Sequence, residues 1–265
     1  MLPPLFDIGV NLLDRSFDSD RLQVLDRARS AGVTGFLLTG TKREESIRAA
    51  EFAAGQATGD VWSTAGVHPH YASTCDDQVI ETLRSLGNED RVVAIGECGL
   101  DYCRDLSPRP AQRSALTAQL RVAIELNLPV FLHDREAHAD FASILREHRQ
   151  DLRRGGVVHC FTGTSEELDA YLEMDFHIGI TGWICDERRG QHLLDLVGRI
   201  PSNRLMLETD APYLLPRSIR PKPRSRRNEP AHLIHVLEAV ARARGEEAET
   251  VARATTETAR TLFAL

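Results

Sequence analysis

Eight short apolar runs, at 5–10, 33–39, 61–67, 92–96, 129–132, 156–160, 176–181 and 204–208, alternate along the chain with longer segments of helical period. Runs of this length read as buried strands, and a helix-length segment between successive strands is what a parallel crossover requires. Repeated eight times, the pattern predicts an α/β chain whose parallel strands close into a (β/α)8 TIM barrel. A doubly wound open sheet is the competing architecture. At 265 residues the chain has the size of one such barrel, so a single domain over 1–265 is expected.

The connecting segments carry helix markings. Between Ala111 and Asn127, the residues Leu116, Leu120, Ala123, Ile124 and Leu126 keep an apolar face, and Asn127-Leu128-Pro129 stops the helix. After the eighth run, 212–230 is Pro-rich and irregular, long enough to be a functional loop. The last 35 residues return to helix, with Asn228 expected as the cap ahead of Glu229-Pro230.

Composition narrows the class. Apolar residues make up 42% and charged residues 27%, the mix of a globular enzyme with a sizeable core. A net charge of −7 opposes coating of nucleic acid by bulk electrostatics, though a local basic patch still suffices for contact. Met1 to Leu5 lacks a basic, apolar secretory leader, and no run approaches the ~20 apolar residues of a membrane span. A cytoplasmic monomer with no membrane partner is expected. Cys75, Cys98, Cys103, Cys160 and Cys185 are scattered without a CxxC pair, which reads as reduced thiols.

Polar residues collect at the C-terminal ends of the predicted strands: His68-Pro69-His70 after the third, Glu97 after the fourth, His133 after the fifth, His159 after the sixth, and Glu208-Thr209-Asp210 after the eighth. In a parallel barrel these ends converge on one face. Two carboxylates buried together raise each other's pKa and must both be desolvated, a cost that a divalent ion removes. Glu97, His133, His159 and Asp210 are therefore the expected metal ligands. Their mixed imidazole and carboxylate character suits Mg2+, Mn2+ or Zn2+ and leaves the ion's identity open. Asp210 is also the expected catalytic base, and His68 and His70 are expected to donate to a substrate phosphate.

Cys98 and Cys160 each follow a proposed ligand, but no Cys–His–Asn pattern accompanies them, so they read as buried thiols. Segment 217–227 holds six cations and no acid. Such a loop fits a phosphate clamp, and Arg226, Arg227 and the adjoining Asn228 are expected to contact substrate. Tyr213 and Trp183, near the same face, are candidates to stack on a base.

The chain also resembles the TatD-type deoxyribonucleases of the metal-dependent hydrolase superfamily. The resemblance runs through 6–12 (FDIGVNL), 63–70 (STAGVHPH), 94–101 (AIGECGLD), 159–163 (HCFTG), 178–183 (IGITGW), 208–214 (ETDAPYL) and 226–230 (RRNEP). It implies a TIM-barrel nuclease that hydrolyses DNA phosphodiesters with magnesium, as a 3′–5′ exonuclease preferring single strands, in DNA repair or degradation. It further implies that Glu97, His133 and His159 are metal ligands, that Asp210 is ligand or base, and that His68 touches the phosphate or the catalytic water. Much of the superfamily begins Asp-x-His-x-His, whereas Gly9 and Asn11 stand at those histidine positions here, as in the TatD branch. One full metal site is expected, with any second ion held among Asp7, Glu97 and Asp210 only when substrate binds. Amide or ester hydrolysis, including an aminoacyl-tRNA ester, and a non-catalytic nucleic-acid-binding barrel are the competing functions.

Overall fold

In a computed structural model that describes residues 4–265, all eight apolar runs are strands: β1 (Leu5–Val10), β2 (Val33–Leu38), β3 (Val61–Ala65), β4 (Val92–Asp101), β5 (Val130–Arg135), β6 (Gly156–Val158), β7 (His177–Ile180) and β8 (Leu205–Leu207). They pair in parallel in the order β1 to β8. Strand β8 has only three residues, so closure falls beyond its end, at a bridge between Val10 and Ala211. There Asn11 N–H donates to Ala211 at 2.8 Å and Asp210 N–H donates to Gly9 at 2.8 Å. The closing contacts thus bring Asn11 and Asp210 together on the C-terminal face.

Strand β4 runs five residues past its predicted end because its pairing with β5 continues to Asp101↔Arg135. The register shifts between Gly96 and Cys98, leaving Glu97 at the irregularity. Bulges of this kind re-aim a side chain, and here the one re-aimed is a carboxylate. Gly96 has φ +138, and a Cβ there would collide with the Phe131 carbonyl, so only glycine lets β4 approach β5 so closely.

Nine helices separate and follow the strands: α1 (Arg21–Ser30), α2 (Arg43–Ala54), α3 (Asp77–Leu86), α4 (Arg109–Leu126), α5 (His138–His148), α6 (Ser165–Glu173), α7 (Gln191–Leu196), α8 (Leu233–Arg244) and α9 (Ala248–Phe263) among the described residues. Helix α4 buries Leu116, Leu120 and Ala123 and ends where Asn127 takes a left-handed conformation, φ 52. Asn is among the few residues that adopt it readily.

The barrel interior is filled by Phe6, Ile8, Leu37, Ala94, Phe131, Val157 and Met206, against which α9 packs Ala259, Leu262 and Phe263. Thr256 and Thr258 of α9 donate to the carbonyls of Pro4 and Ser202, both of which precede strands. Helix α9 therefore plugs the N-terminal end, and burying Leu262 and Phe263 contributes about 1.5–3 kcal/mol each. Polar chemistry is left to the opposite end.

One local expectation is corrected. Asn228 does not cap the final helices: Glu229 caps a short 3-10 turn, Pro230–His232, that leads into α8. Asn228 is fully buried, and its Nδ2 donates to the Thr209 carbonyl at 3.0 Å. Its Oδ1 accepts from Glu229 N–H at 2.9 Å. It ties the loop after β8 to the strand end that precedes Asp210.

Candidate metal centre

A cleft of about 630 Å3 opens on the C-terminal face, walled by His68, His70, Glu97, His133, His159, Cys160 and Asp210. Three imidazole nitrogens surround one oxygen, Glu97 Oε1: His159 Nε2 at 2.8 Å, His133 Nδ1 at 3.0 Å and His68 Nε2 at 3.3 Å. Each histidine comes from a different strand end, so convergence follows from the barrel.

The neighbours of each ring decide what it offers. His68 Nδ1 accepts the His70 backbone N–H at 3.1 Å, so the proton of neutral His68 sits on Nε2, which faces Glu97 as a donor. His159 is oriented the other way. Its Nδ1 lies 3.3 Å from Glu208 Oε2, which fixes the proton there and leaves the Nε2 lone pair facing Glu97. His133 Nε2 is buried without a hydrogen-bond partner among the described residues, 3.6 Å from Asp101 Oδ2, while Nδ1 turns toward Glu97 and lies 3.3 Å from His159 Nε2.

With both imidazoles neutral, Glu97 Oε1, His133 Nδ1 and His159 Nε2 can offer three lone pairs within contact distance, an arrangement that a shared cation would satisfy. The residues fit a divalent metal. His68, Glu97 and His133 also lie close enough together to share an ion, but the tautomer makes His68 a donor to an anion rather than a ligand.

Electrostatics agree with this reading. Burial opposes charge on Glu97, yet His159 and His68 hold its carboxyl well below the ordinary range. Burial likewise pulls His159 down, and Glu97 with Glu208 outweighs it, holding the imidazole well above its usual value. For His133 the Asp101 and Glu97 carboxylates overcome burial in the same sense. Protons occupy the positions where a cation fits, so metal binding releases them. Burial, opposed by His159 and reinforced by Glu97 and Glu208, pushes Asp210 up to about 7. Asn11 Nδ2 donates to Asp210 Oδ1 at 3.0 Å, fixing that carboxyl at the edge of the cluster.

Two carboxylates behind the ligands had no role assigned from sequence. Glu208, 0% exposed, contacts His159 and accepts the Cys160 N–H at 2.5 Å through Oε1. A Cβ at Gly9 or at Gly179 would collide with its carboxylate oxygens. Glu208 thus fills the space that a side chain at position 9 or 179 would need, and a pair of glycines on strands beside an acidic strand end was the available signal. Asp101 lies behind His133, with His70 Nε2 2.7 Å from its Oδ2.

Other expected residues lie elsewhere. Asp7 is fully buried and accepts from Thr209 N–H at 2.9 Å and Oγ1 at 2.5 Å. Arg227 is not a clamp. Its guanidinium donates to Asp20, Glu229 and the Ser16 carbonyl and lies over Phe17. Asn228 is buried structure, so among Arg226, Arg227 and Asn228 only Arg226 is exposed and free of an ion pair among the described residues. Burial raises the Cys98 and Cys160 thiols, which removes them as nucleophiles. Tyr213 lines the cleft, whereas Trp183 lines a neighbouring cavity of about 400 Å3 with Arg135 and Arg189 over its ring.

The family profile described as TatD related DNase matches residues 6–264. The chain belongs to the TatD-related DNase family. A protein of Pantoea vagans named 3′-5′ ssDNA/RNA exonuclease TatD is 56% identical over 261 residues, covering 98% of this chain and 100% of its own. Among solved structures, a TatD homologue from Escherichia coli superposes with a TM-score of 0.90 at 29% identity, covering 100% of both chains. A TatD-family hydrolase of Entamoeba histolytica gives 0.86 at 26%, covering 99% of both. No helix of the described residues is long and apolar enough to cross a membrane.

Proposed function

We propose that this chain is a metal-dependent exonuclease that removes nucleotides from the 3′ end of single-stranded DNA and RNA, with residues 1–265 acting as one barrel domain. The observation that carries the reading is the pooling of Glu97 Oε1, His133 Nδ1 and His159 Nε2 on the open face of a TatD-family barrel. The name of the Pantoea vagans relative, shared at 56% identity, supplies the substrate class and direction.

Glu97, His133 and His159 hold the ion, with Asp210 beside it; the ion is Mg2+, which the carboxylates suit, with Mn2+ and Zn2+, which the imidazoles suit, as alternatives. When bound, a divalent ion supplies a Lewis acid for the phosphoryl group and favours ionisation of water near neutral pH. Asp210, held near 7 and oriented by Asn11, accepts the proton of the attacking water. His68, its proton fixed on Nε2 by the bond from His70 N–H to Nδ1, faces Glu97 and stands beside the phosphate as a donor. Glu208 orients the His159 imidazole, and the Asp101 carboxylate lies 3.6 Å behind His133 Nε2.

End-labelled DNA and RNA strands incubated with a metal panel test the reading. Stepwise loss from the 3′ end, strongest on single strands, is expected with added metal. Glu97→Ala or Asp210→Asn abolishes it while the folded circular-dichroism spectrum is retained. Undiminished turnover by the wild type in excess chelator would remove the metal from the mechanism.

A further inference from the structure

Five large apolar side chains stand well exposed among the described residues: Leu22, Tyr71, Leu106, Tyr213 and Leu265. Three of them, Tyr71 at 42%, Leu106 at 66% and Tyr213 at 54% exposure, line the cleft that contains the metal ligands. Single exposed apolar residues are ordinary on a protein surface, but a set around one opening marks a binding site.

Each of the three sits on a turn pinned to the centre. Tyr71 N–H donates to the His68 carbonyl at 2.8 Å, and Tyr213 N–H donates to the Asp210 carbonyl at 2.9 Å. Leu106 is carried between two anchors: Arg104 N–H donates to Asp101 Oδ1 at 2.7 Å, and Ser107 Oγ donates to the His70 carbonyl at 2.9 Å. Cations stand beside the rings, with Lys42 Nζ 5.1 Å from the Tyr71 ring centre and Arg104 in the cleft wall. Aromatic faces next to cations, at a fixed offset from a phosphate-cleaving centre, match a nucleotide: the base meets the rings while its phosphate meets the metal.

We infer that Tyr71, Leu106 and Tyr213 form a collar that takes the unpaired base at the 3′ end of the strand, and that this collar, rather than the metal centre, sets the preference for single strands. The inference rests on the exonuclease reading. A base held against the collar has left its pair and its stack, an unpairing cost that a single strand does not carry. Because every base has a flat face, the collar is tolerant of sequence.

The test pairs changes in the protein with a change in the substrate, using magnesium-loaded enzyme. One single-stranded DNA ends in an ordinary nucleotide, and a second ends in a tetrahydrofuran abasic residue. Wild-type kcat/KM is expected to be about tenfold or more lower on the abasic end, mostly through KM. Tyr71→Ala and Tyr213→Ala should lower kcat/KM on the ordinary end by a comparable factor and leave the abasic end little changed. The Phe variants keep the ring and should retain wild-type kinetics.

A 3′-terminal 2-aminopurine behind a cleavage-resistant phosphorothioate linkage gives a readout independent of turnover. Its fluorescence is expected to be quenched on binding to wild type and to recover in the Ala variants. Equal wild-type efficiency on both ends, or equal losses by the Ala variants on both, overturns the collar. Failure of wild type to release any nucleotide from the ordinary strand overturns instead the exonuclease reading beneath it.

Discussion

Glu208 acts on the centre without belonging to its ligands. It fixes the His159 proton on Nδ1 and fills the space beside Gly9 and Gly179, so one side chain both orients a ligand and explains two glycines. Outer carboxylates of this kind typically tune metal affinity by about 10- to 100-fold. Glu208→Gln is therefore expected to raise the magnesium concentration for half-maximal activity by roughly that factor. Its saturating kcat should fall less. A magnesium titration of both proteins checks this, and superimposable curves would show that Glu208 is merely filling space.

At the scale of elements, the loop after β8 divides its cations between two tasks. Arg217 pairs with Glu187 at 2.6 Å, and Arg227 pairs with Asp20 at 2.8 Å and Glu229 at 2.7 Å. These bonds lash the loop to the flanking elements, and Asn228 anchors it to Thr209. Arg227→Ala leaves Asp20 and Glu229 with Arg27 as their remaining partner and should lower stability by about 0.5–1 kcal/mol in urea unfolding. Asn228→Ala removes a buried amide from the β8 end and should cost about 1–3 kcal/mol. Arg226→Ala should leave stability unchanged and reduce the salt slope of single-strand binding by about one. A parallel slope for Arg226→Ala would show that this guanidinium meets no phosphate.

For the molecule as a whole, one contributor to the pH dependence of stability lies outside the metal centre. His177 opens β7, its Nδ1 3.1 Å from the Gly156 carbonyl, and burial lowers its pKa to about 4. The unfolded chain takes up this proton near pH 6.5, before the folded chain does, so the folded state loses stability as pH falls from about 6.5 to 4. Full effect at the lower limit is about 3 kcal/mol, and none remains above pH 7. His177→Gln should flatten this limb in urea unfolding at pH 7, 6 and 5. Identical pH dependence in the two proteins would show that His177 contributes nothing to it.

The eight strands and the chemistry at their ends were legible in the chain because both are local. Alternation of apolar runs with helical periods depends on residues a few positions apart, and in a parallel barrel strand ends meet on one face whatever the details. Glu97, His68, His133, His159 and Asp210 follow from that rule, and so does their convergence in one cleft. The direction of each imidazole does not, because it is set by a partner on another strand, as Glu208 sets His159 across 49 positions. Barrel closure likewise joins Asn11 to Asp210 across 199 positions, and loop packing turns Arg227 to Asp20 across 207. Those partnerships carry no periodicity of their own: strand order places these groups on the open face, whereas the direction of each imidazole and the partners of each loop cation depend on residues that meet only once the barrel has closed.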